Sequence, residues 1–193
     1  MELDSAIQGL VSAAFALLFL AAAVHKFSDR LRFQGILAAY DLFPAAMIPL
    51  MSIIVPVLEL CLGIAWATQF SLTLVASMTA ILLGSYAAAI AVNLFRGRTE
   101  IDCGCGFSSS ASSSSGQGIS AGLVLRNMVL IALALLPVLG NNGRVLGILD
   151  FAGIALALLT LTLIYGAINQ IIANQHIING WRKPLMERSQ ADG

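Results

Sequence analysis

The chain has 193 residues, of which 59% are hydrophobic and only 10% charged, with ten Lys+Arg balancing ten Asp+Glu. A water-soluble domain carries about 25% charged residues to wet its surface, so this composition excludes a soluble globular enzyme, and a neutral chain without a basic patch gives no support for nucleic-acid binding. Three cysteines are too few for a disulfide-stapled miniprotein, or for a tetrahedral zinc site built from this chain's cysteines alone.

A membrane span needs about 20 mostly apolar residues. The first runs from Ile7 to Val24 and is closed by His25 and Lys26. Its start is acidic, without the basic region or small-residue cleavage signal of a leader peptide, so it reads as retained. Tyr40, Asp41 and Pro44 lead into the next apolar stretch. From Leu42 to Phe95 the only charge is Glu59. As one helix that stretch would be about 80 Å long, far more than a bilayer, so it must double back. A turn at Trp66-Ala67-Thr68-Gln69 gives spans at 46–66 and 72–94, with Trp66 placed at a membrane interface.

A polar loop, 96–122, comes next. The fourth span, 123–139, carries Arg126 in its first turn, where the side chain can snorkel or pair within the bundle. The fifth covers 149–172 and is followed by a polar tail, 174–193, with His176, Trp181, Arg182, Lys183 and Arg188. The fold class is therefore all-α: a polytopic integral membrane bundle of five helices forming one transmembrane domain, 1–173, plus the tail.

Five spans put the two termini on opposite sides. With the N-terminus outside, the cytoplasmic segments hold Lys26, Arg30, Arg32, Arg96, Arg98, Arg182, Lys183 and Arg188, and the outer loops hold only Arg144. Positive residues favour the cytoplasmic side, which selects this orientation and places the cysteine loop and the C-terminus inside. Ala80, Gly84 and Ala88, and likewise Gly63 and Ala67, repeat small residues at the spacing that lets helices approach closely in a bilayer.

The sharpest chemical motif is Asp102-Cys103-Gly104-Cys105-Gly106-Phe107. Gly104 and Gly106 relieve the local steric restriction, so the two thiols can approach a disulfide geometry. The pair reads as a thiol–disulfide couple, as two reduced and inert cysteines, or as part of a metal site shared between chains. No third cysteine lies nearby to build an iron–sulfur or zinc site, and the chain itself is assigned no metal. Cys61 reads as a buried small apolar residue. Ser108 to Gly118 is a low-complexity spacer.

Glu59 lies within an apolar run beside Pro56, which removes a helix hydrogen bond and frees a carbonyl. A carboxyl at that depth must face the interior, be protonated or meet a partner, which makes it a candidate intramembrane polar or proton site. His25 and Lys26 read as a solvated helix end, with His25 a weak candidate for titration or cofactor contact. Asn93, Asn127 and Asn169 are placed to join helices by hydrogen bonds.

Taken in order, His25-Lys26, Tyr40-Asp41-Leu42-Phe43-Pro44, Pro56-Val57-Leu58-Glu59 through Gly63, Asp102-Cys103-Gly104-Cys105 and Leu125-Arg126-Asn127 give the chain its resemblance to the methylamine-utilisation MauE family, within the broader DoxX-like membrane proteins. The sequence departs from the family pattern in placing Gly106 before Phe107. The resemblance implies a DoxX-like four-helix core with an added helix, in a bacterial inner membrane. It implies an accessory role in processing, export or disulfide-dependent maturation of the methylamine dehydrogenase β subunit, or of another exported disulfide-rich client. A thioredoxin-like redox protein is the implied companion. Under it Cys103 and Cys105 are the redox pair, and Glu59 and His25 the next positions to test. The sequence requires no cofactor. A non-catalytic assembly or transport factor and a quinone-linked oxidoreductase stand as the alternative readings.

Overall fold

The computed structural model describes residues 3–98, 121–140 and 142–191, with side chains as far as 171 except at 169. Cys103, Cys105 and the serine-rich stretch lie outside the described residues. The elements are α1 (Ser5–Ser28), α2 (Arg30–Tyr40), a 3-10 turn (Ala45–Met47) leading into α3 (Ile48–Ala67), α4 (Leu72–Phe95), α5 (Ala121–Leu135) with a 3-10 turn to Leu139, and α6 (Ile148–Ala191). Five apolar stretches are long enough to cross a membrane: Ser5–Ser28, Ala45–Ala67, Leu72–Phe95, Ala121–Leu139 and Ile148–Ile168. The protein is a polytopic membrane helical bundle. Beyond Ile168 the polar tail continues α6 as helix to Ala191.

Local chemistry sets the helix ends. The Asp4 carboxylate caps α1 by accepting from the Ala6 N–H at 2.8 Å. Asp29 separates α1 from α2 and caps the second helix by accepting from Arg32 N at 3.1 Å. Asp41 closes α2 in the left-handed region, φ 50°. The end of α4 holds that turn: Asn93 donates to the Tyr40 carbonyl at 3.1 Å, Arg96 to the Asp41 carbonyl at 3.3 Å, and Arg98 pairs with the Asp41 carboxylate at 3.1 Å.

The buried residues form one seam per helix. On α1 it runs Ser12, Phe15, Phe19, Ala23, Lys26, and on α3 Ser52, Pro56, Glu59, Gly63, Trp66. These steps of three and four residues, strictly alternating on α3, are the spacing that keeps a stripe facing its neighbour along a left-handed bundle. The main packing partners are α1 with α3 and α4 with α5, with α3 against α4 and α1 against α5 closing the four-helix core. Phe15 stacks on Trp66 at 5.2 Å between ring centroids. Trp66 is fully buried and its indole N–H donates to Thr79 Oγ1 at 2.9 Å. The interface position expected for Trp66 is thus replaced by a core one. Helix α3 runs on to Ala67, which carries the ring onto the seam, and the turn with its positive-φ residues Gln69 and Ser71 follows after it.

The small-residue repeats divide. A side-chain carbon at Gly63 would stand 2.9 Å from Leu20 Cγ and 3.1 Å from the Leu20 backbone N, so glycine there permits the α1–α3 approach. A side-chain carbon at Gly84 would have nothing within 4 Å and Ala88 is exposed, so neither of these two positions marks a close helix approach. Cys61 is exposed on the outer, apolar face of α3 rather than buried, because it falls between the seam positions Glu59 and Gly63.

Helix α6 packs on α1 from outside this core, and its apolar part contributes no buried residue. A polar clasp holds its start. Leu3 N–H donates to the Gly140 carbonyl at 2.9 Å, and Asn142 N–H to the Leu3 carbonyl at 3.0 Å. Arg144 bridges Asp4 at 3.3 Å and Asp150 at 2.8 Å. The Ala6 N–H, and after it the Arg144 guanidinium, hold the Asp4 carboxyl below its ordinary range, while Asp150 and Asp4 raise Arg144.

Gly63→Ala should destabilise the detergent-solubilised protein by about 1–3 kcal/mol in denaturant unfolding, through overpacking against the Leu20 backbone. Gly84→Ala should leave stability equal or slightly higher. Because the folded pKa of Asp4 is lowered from 3.8, its contribution is present above that value and lost as pH falls through the lower, folded one. Thermal scans against pH should therefore show an acid-side loss that Asp4→Asn diminishes.

Candidate functional site: a buried ion pair inside the bundle

Glu59 is 1% exposed, and its Oε1 accepts from Lys26 Nζ at 2.5 Å and from the Tyr86 hydroxyl at 2.8 Å. The three residues come from α3, α1 and α4 in turn. The Lys26 ammonium also sits 5.5 Å from the Phe33 ring centroid and 5.6 Å from that of Tyr86, within cation–π range of both. One carboxylate oxygen therefore ties three membrane helices together, and Phe33 brings in α2.

The depth of the site follows from helix rise. Glu59 lies about 21 Å along the helix from Ala45 and about 12 Å from Ala67, well inside α3, and meets Lys26 in the last turn of α1. Each unpaired charge at such depth costs several kcal/mol. Mutual pairing, the tyrosine hydrogen bond and two aromatic faces offset that cost. Below the pair, Ser52 is 1% exposed and accepts from Arg30 Nε at 3.2 Å and Gln34 Nε2 at 3.1 Å, while donating to the Pro49 carbonyl at 2.7 Å. Pro56 cannot donate to the Ser52 carbonyl, yet α3 continues through it as helix.

Lys26 is the residue that sequence reasoning assigned differently. The charge pattern places it at a solvated helix end, whereas it is buried in the last turn of α1 and paired with Glu59 of α3. The signal was present in the spacing: Ser12, Phe15, Phe19 and Ala23 lead by helical steps to Lys26. Tyr86 carried no such signal, since an isolated tyrosine in an apolar span also suits a membrane interface. His25 is next to Lys26 but off the seam and partly exposed, and its side chain makes no hydrogen bond or ion pair among the described residues. Arg126 lies 5.9 Å from the Tyr165 ring centroid, linking α5 to α6. Among the described residues no three His, Cys, Asp or Glu side chains gather as a metal site. The chemistry this region offers is charge pairing and hydrogen bonding. The thiol pair, Cys103 and Cys105, belongs to the segment outside the described residues, which leaves α4 beyond Arg98 and rejoins the bundle at Ala121.

A protein-family model described as methylamine utilisation protein MauE matches residues 4–140, from the cap of α1 to the end of the 3-10 turn after α5. The methylamine utilization protein MauE of Paracoccus denitrificans is 37% identical over 120 residues, 62% of this chain and 62% of that protein. The protein of that name from Methylophilus methylotrophus is 37% identical over 101 residues, 52% of this chain and 53% of its own. That from Methylorubrum extorquens is 34% identical over 161 residues, covering 80% and 82% respectively. The chain spans about three-fifths of the length of the Paracoccus relative it matches. No solved structure matches it.

Lys26→Met should destabilise the protein by about 3–5 kcal/mol, because it leaves a buried carboxylate without its cation. Lys26→Met combined with Glu59→Leu should recover most of that loss in the same unfolding measurement, since two apolar groups carry no desolvation cost. Equal loss in the single and double variants would count against the pair as the source.

Proposed function

The chain belongs to the methylamine utilisation MauE family, a DoxX-like group of membrane proteins, and from that premise we propose that it is an accessory membrane protein that supports processing, transport or disulfide-dependent maturation of the methylamine dehydrogenase β subunit. The observation that carries this reading is the family match across residues 4–140, a stretch that contains Cys103-Gly104-Cys105. The relatives named above are themselves methylamine utilization proteins.

In the proposed exchange, which takes place on the cytoplasmic side before the client is exported, a client thiolate attacks the Cys103–Cys105 disulfide and one cysteine of the pair leaves as thiolate. A second client thiolate then resolves the mixed disulfide. The client loses two electrons and two protons, and the reduced pair passes them to the disulfide of a thioredoxin-like partner. The bundle anchors this loop between α4 and α5 in the inner membrane. With Lys26 removed from the boundary count by its burial, Arg30, Arg32, Arg96, Arg98, Arg182, Lys183 and Arg188 still outweigh Arg144. That bias supports an outer N-terminus and a cytoplasmic loop and C-terminus.

One observation supports a second reading, a non-catalytic assembly or transport factor. Cys61, the remaining thiol, lies about 9 Å along α3 from Ala67, towards the end of the bundle opposite Arg98. The chain thus offers no second thiol beside the loop to relay electrons across the bilayer.

Side-specific thiol labelling in intact cells and in inverted vesicles, before and after reduction, tests loop side and redox state together. Labelling of Cys103 and Cys105 only in inverted vesicles is expected, increasing on reduction. A Cys103→Ser or Cys105→Ser variant should trap a mixed disulfide with the client or partner. Full client maturation without either cysteine would transfer the assignment to the non-catalytic reading.

A further inference from the structure

Glu59 Oε1 carries both hydrogen bonds described above, while Oε2 of the same carboxylate is buried without a hydrogen-bond partner among the described residues. A buried carboxylate oxygen left unsatisfied costs free energy that protein interiors normally avoid by recruiting a donor. On α5, Asn127 is 2% exposed and its Nδ2, a donor, is in the same condition. One orphan is an acceptor and the other a donor.

Packing places them at one depth. Leu123 belongs to the cluster with Tyr40 and Ile90, and Ala134 to the cluster with Val75, Ala76 and Leu83. Helices α4 and α5 run antiparallel, so Asn127, one turn on from Leu123, comes level with Tyr86, one turn back from Ile90. Tyr86 is the residue that donates to Glu59. Each core helix thereby contributes one polar residue to a single layer: Lys26 from α1, Glu59 from α3, Tyr86 from α4 and Asn127 from α5. Since α1 packs on α3, α3 on α4, α4 on α5 and α5 on α1, α3 and α5 are diagonal helices of the core, and the unpartnered atoms of Glu59 and Asn127 are both buried.

We propose that this layer is a binding site for a small hydrogen-bonding molecule, an internal water, which donates to Glu59 Oε2 and accepts from Asn127 Nδ2. Water has the required pairing of donor and acceptor on one atom, and buried waters typically satisfy polar groups of this kind. The site joins the diagonal helices α3 and α5 and hydrates an ion pair held inside the membrane. It is independent of thiol chemistry at Cys103 and Cys105.

The experiment is infrared difference spectroscopy of the full chain in lipid nanodiscs, exchanging ordinary water for its oxygen-18 form. An isotope-sensitive O–H band from a fixed internal water is expected in the wild type. Asn127→Leu, which removes the donor at similar volume and leaves the Lys26–Glu59 contact intact, should abolish that band and shift the Glu59 carboxylate stretch. Asn127→Gln, which keeps an amide, should retain an isotope-sensitive band at shifted frequency. Thermal unfolding of both variants verifies that they are folded. Absence of the band in the wild type overturns the proposal, as does its persistence unchanged in a folded Asn127→Leu protein. Solvent extraction followed by mass spectrometry covers the remaining occupant: a stoichiometric organic molecule lost in Asn127→Leu would overturn water as the ligand.

Discussion

A charge inside a bilayer must be paired, and that requirement organises this molecule. Glu59 could have been accommodated on one helix only at a large desolvation cost. Instead its Oε1 is shared by Lys26 and Tyr86, so α1, α3 and α4 meet at one atom. The helix seams agree with this point. Moving Lys26 by one position would take it off the stripe that begins at Gln8, and the aromatic stack of Phe15 on Trp66 fixes the same register nearer the other end. Specificity of pairing is the contribution; the apolar seams around it supply the bulk of the packing.

The five spans were legible because uncharged runs of sufficient length have few alternatives in a chain this apolar. Their interior sides were less so. Trp66 changes from interface to core with a turn displaced by a residue or two, and such a turn has no strong signature in Ala67-Thr68-Gln69. Ala80, Gly84 and Ala88 share a spacing with true contact glycines, but only a neighbouring backbone, such as that of Leu20 beside Gly63, distinguishes contact from coincidence. The rule that charges mark span ends placed Glu59 inside and Lys26 outside, although a lone carboxylate in that apolar environment calls for a cation. Helix α2 was not discernible from apolar length at all. Asp29 starts it, Asp41 ends it, and Ser52 on another helix accepts from its Arg30 and Gln34.

The two ends of the bundle are built differently. At one, Arg98 and Arg96 fasten the close of α4 to Asp41, fixing the point from which the thiol-bearing segment departs. At the other, Arg144 gathers Asp4 and Asp150, so the first and last spans share a cation in addition to their apolar contact. The family match ends at residue 140, just before this second fastening, and α6 contributes no buried residue through its apolar part. The four-helix core and the sixth helix thus differ in how they are held: the former by interior seams, the latter by an end clasp, contact with α1 and the Arg126–Tyr165 stack.

The backbone bridge between Leu3 and the Gly140–Asn142 segment has a consequence for biogenesis. Its two halves are separated by nearly the whole core in translation order, so the bridge closes only after the ribosome has delivered α5 and the turn behind it. Until α3 emerges, the nascent α1 holds Lys26 with no carboxylate opposite. Bridge closure would then mark completion of the core, an order of assembly written into which end of the chain pairs with which.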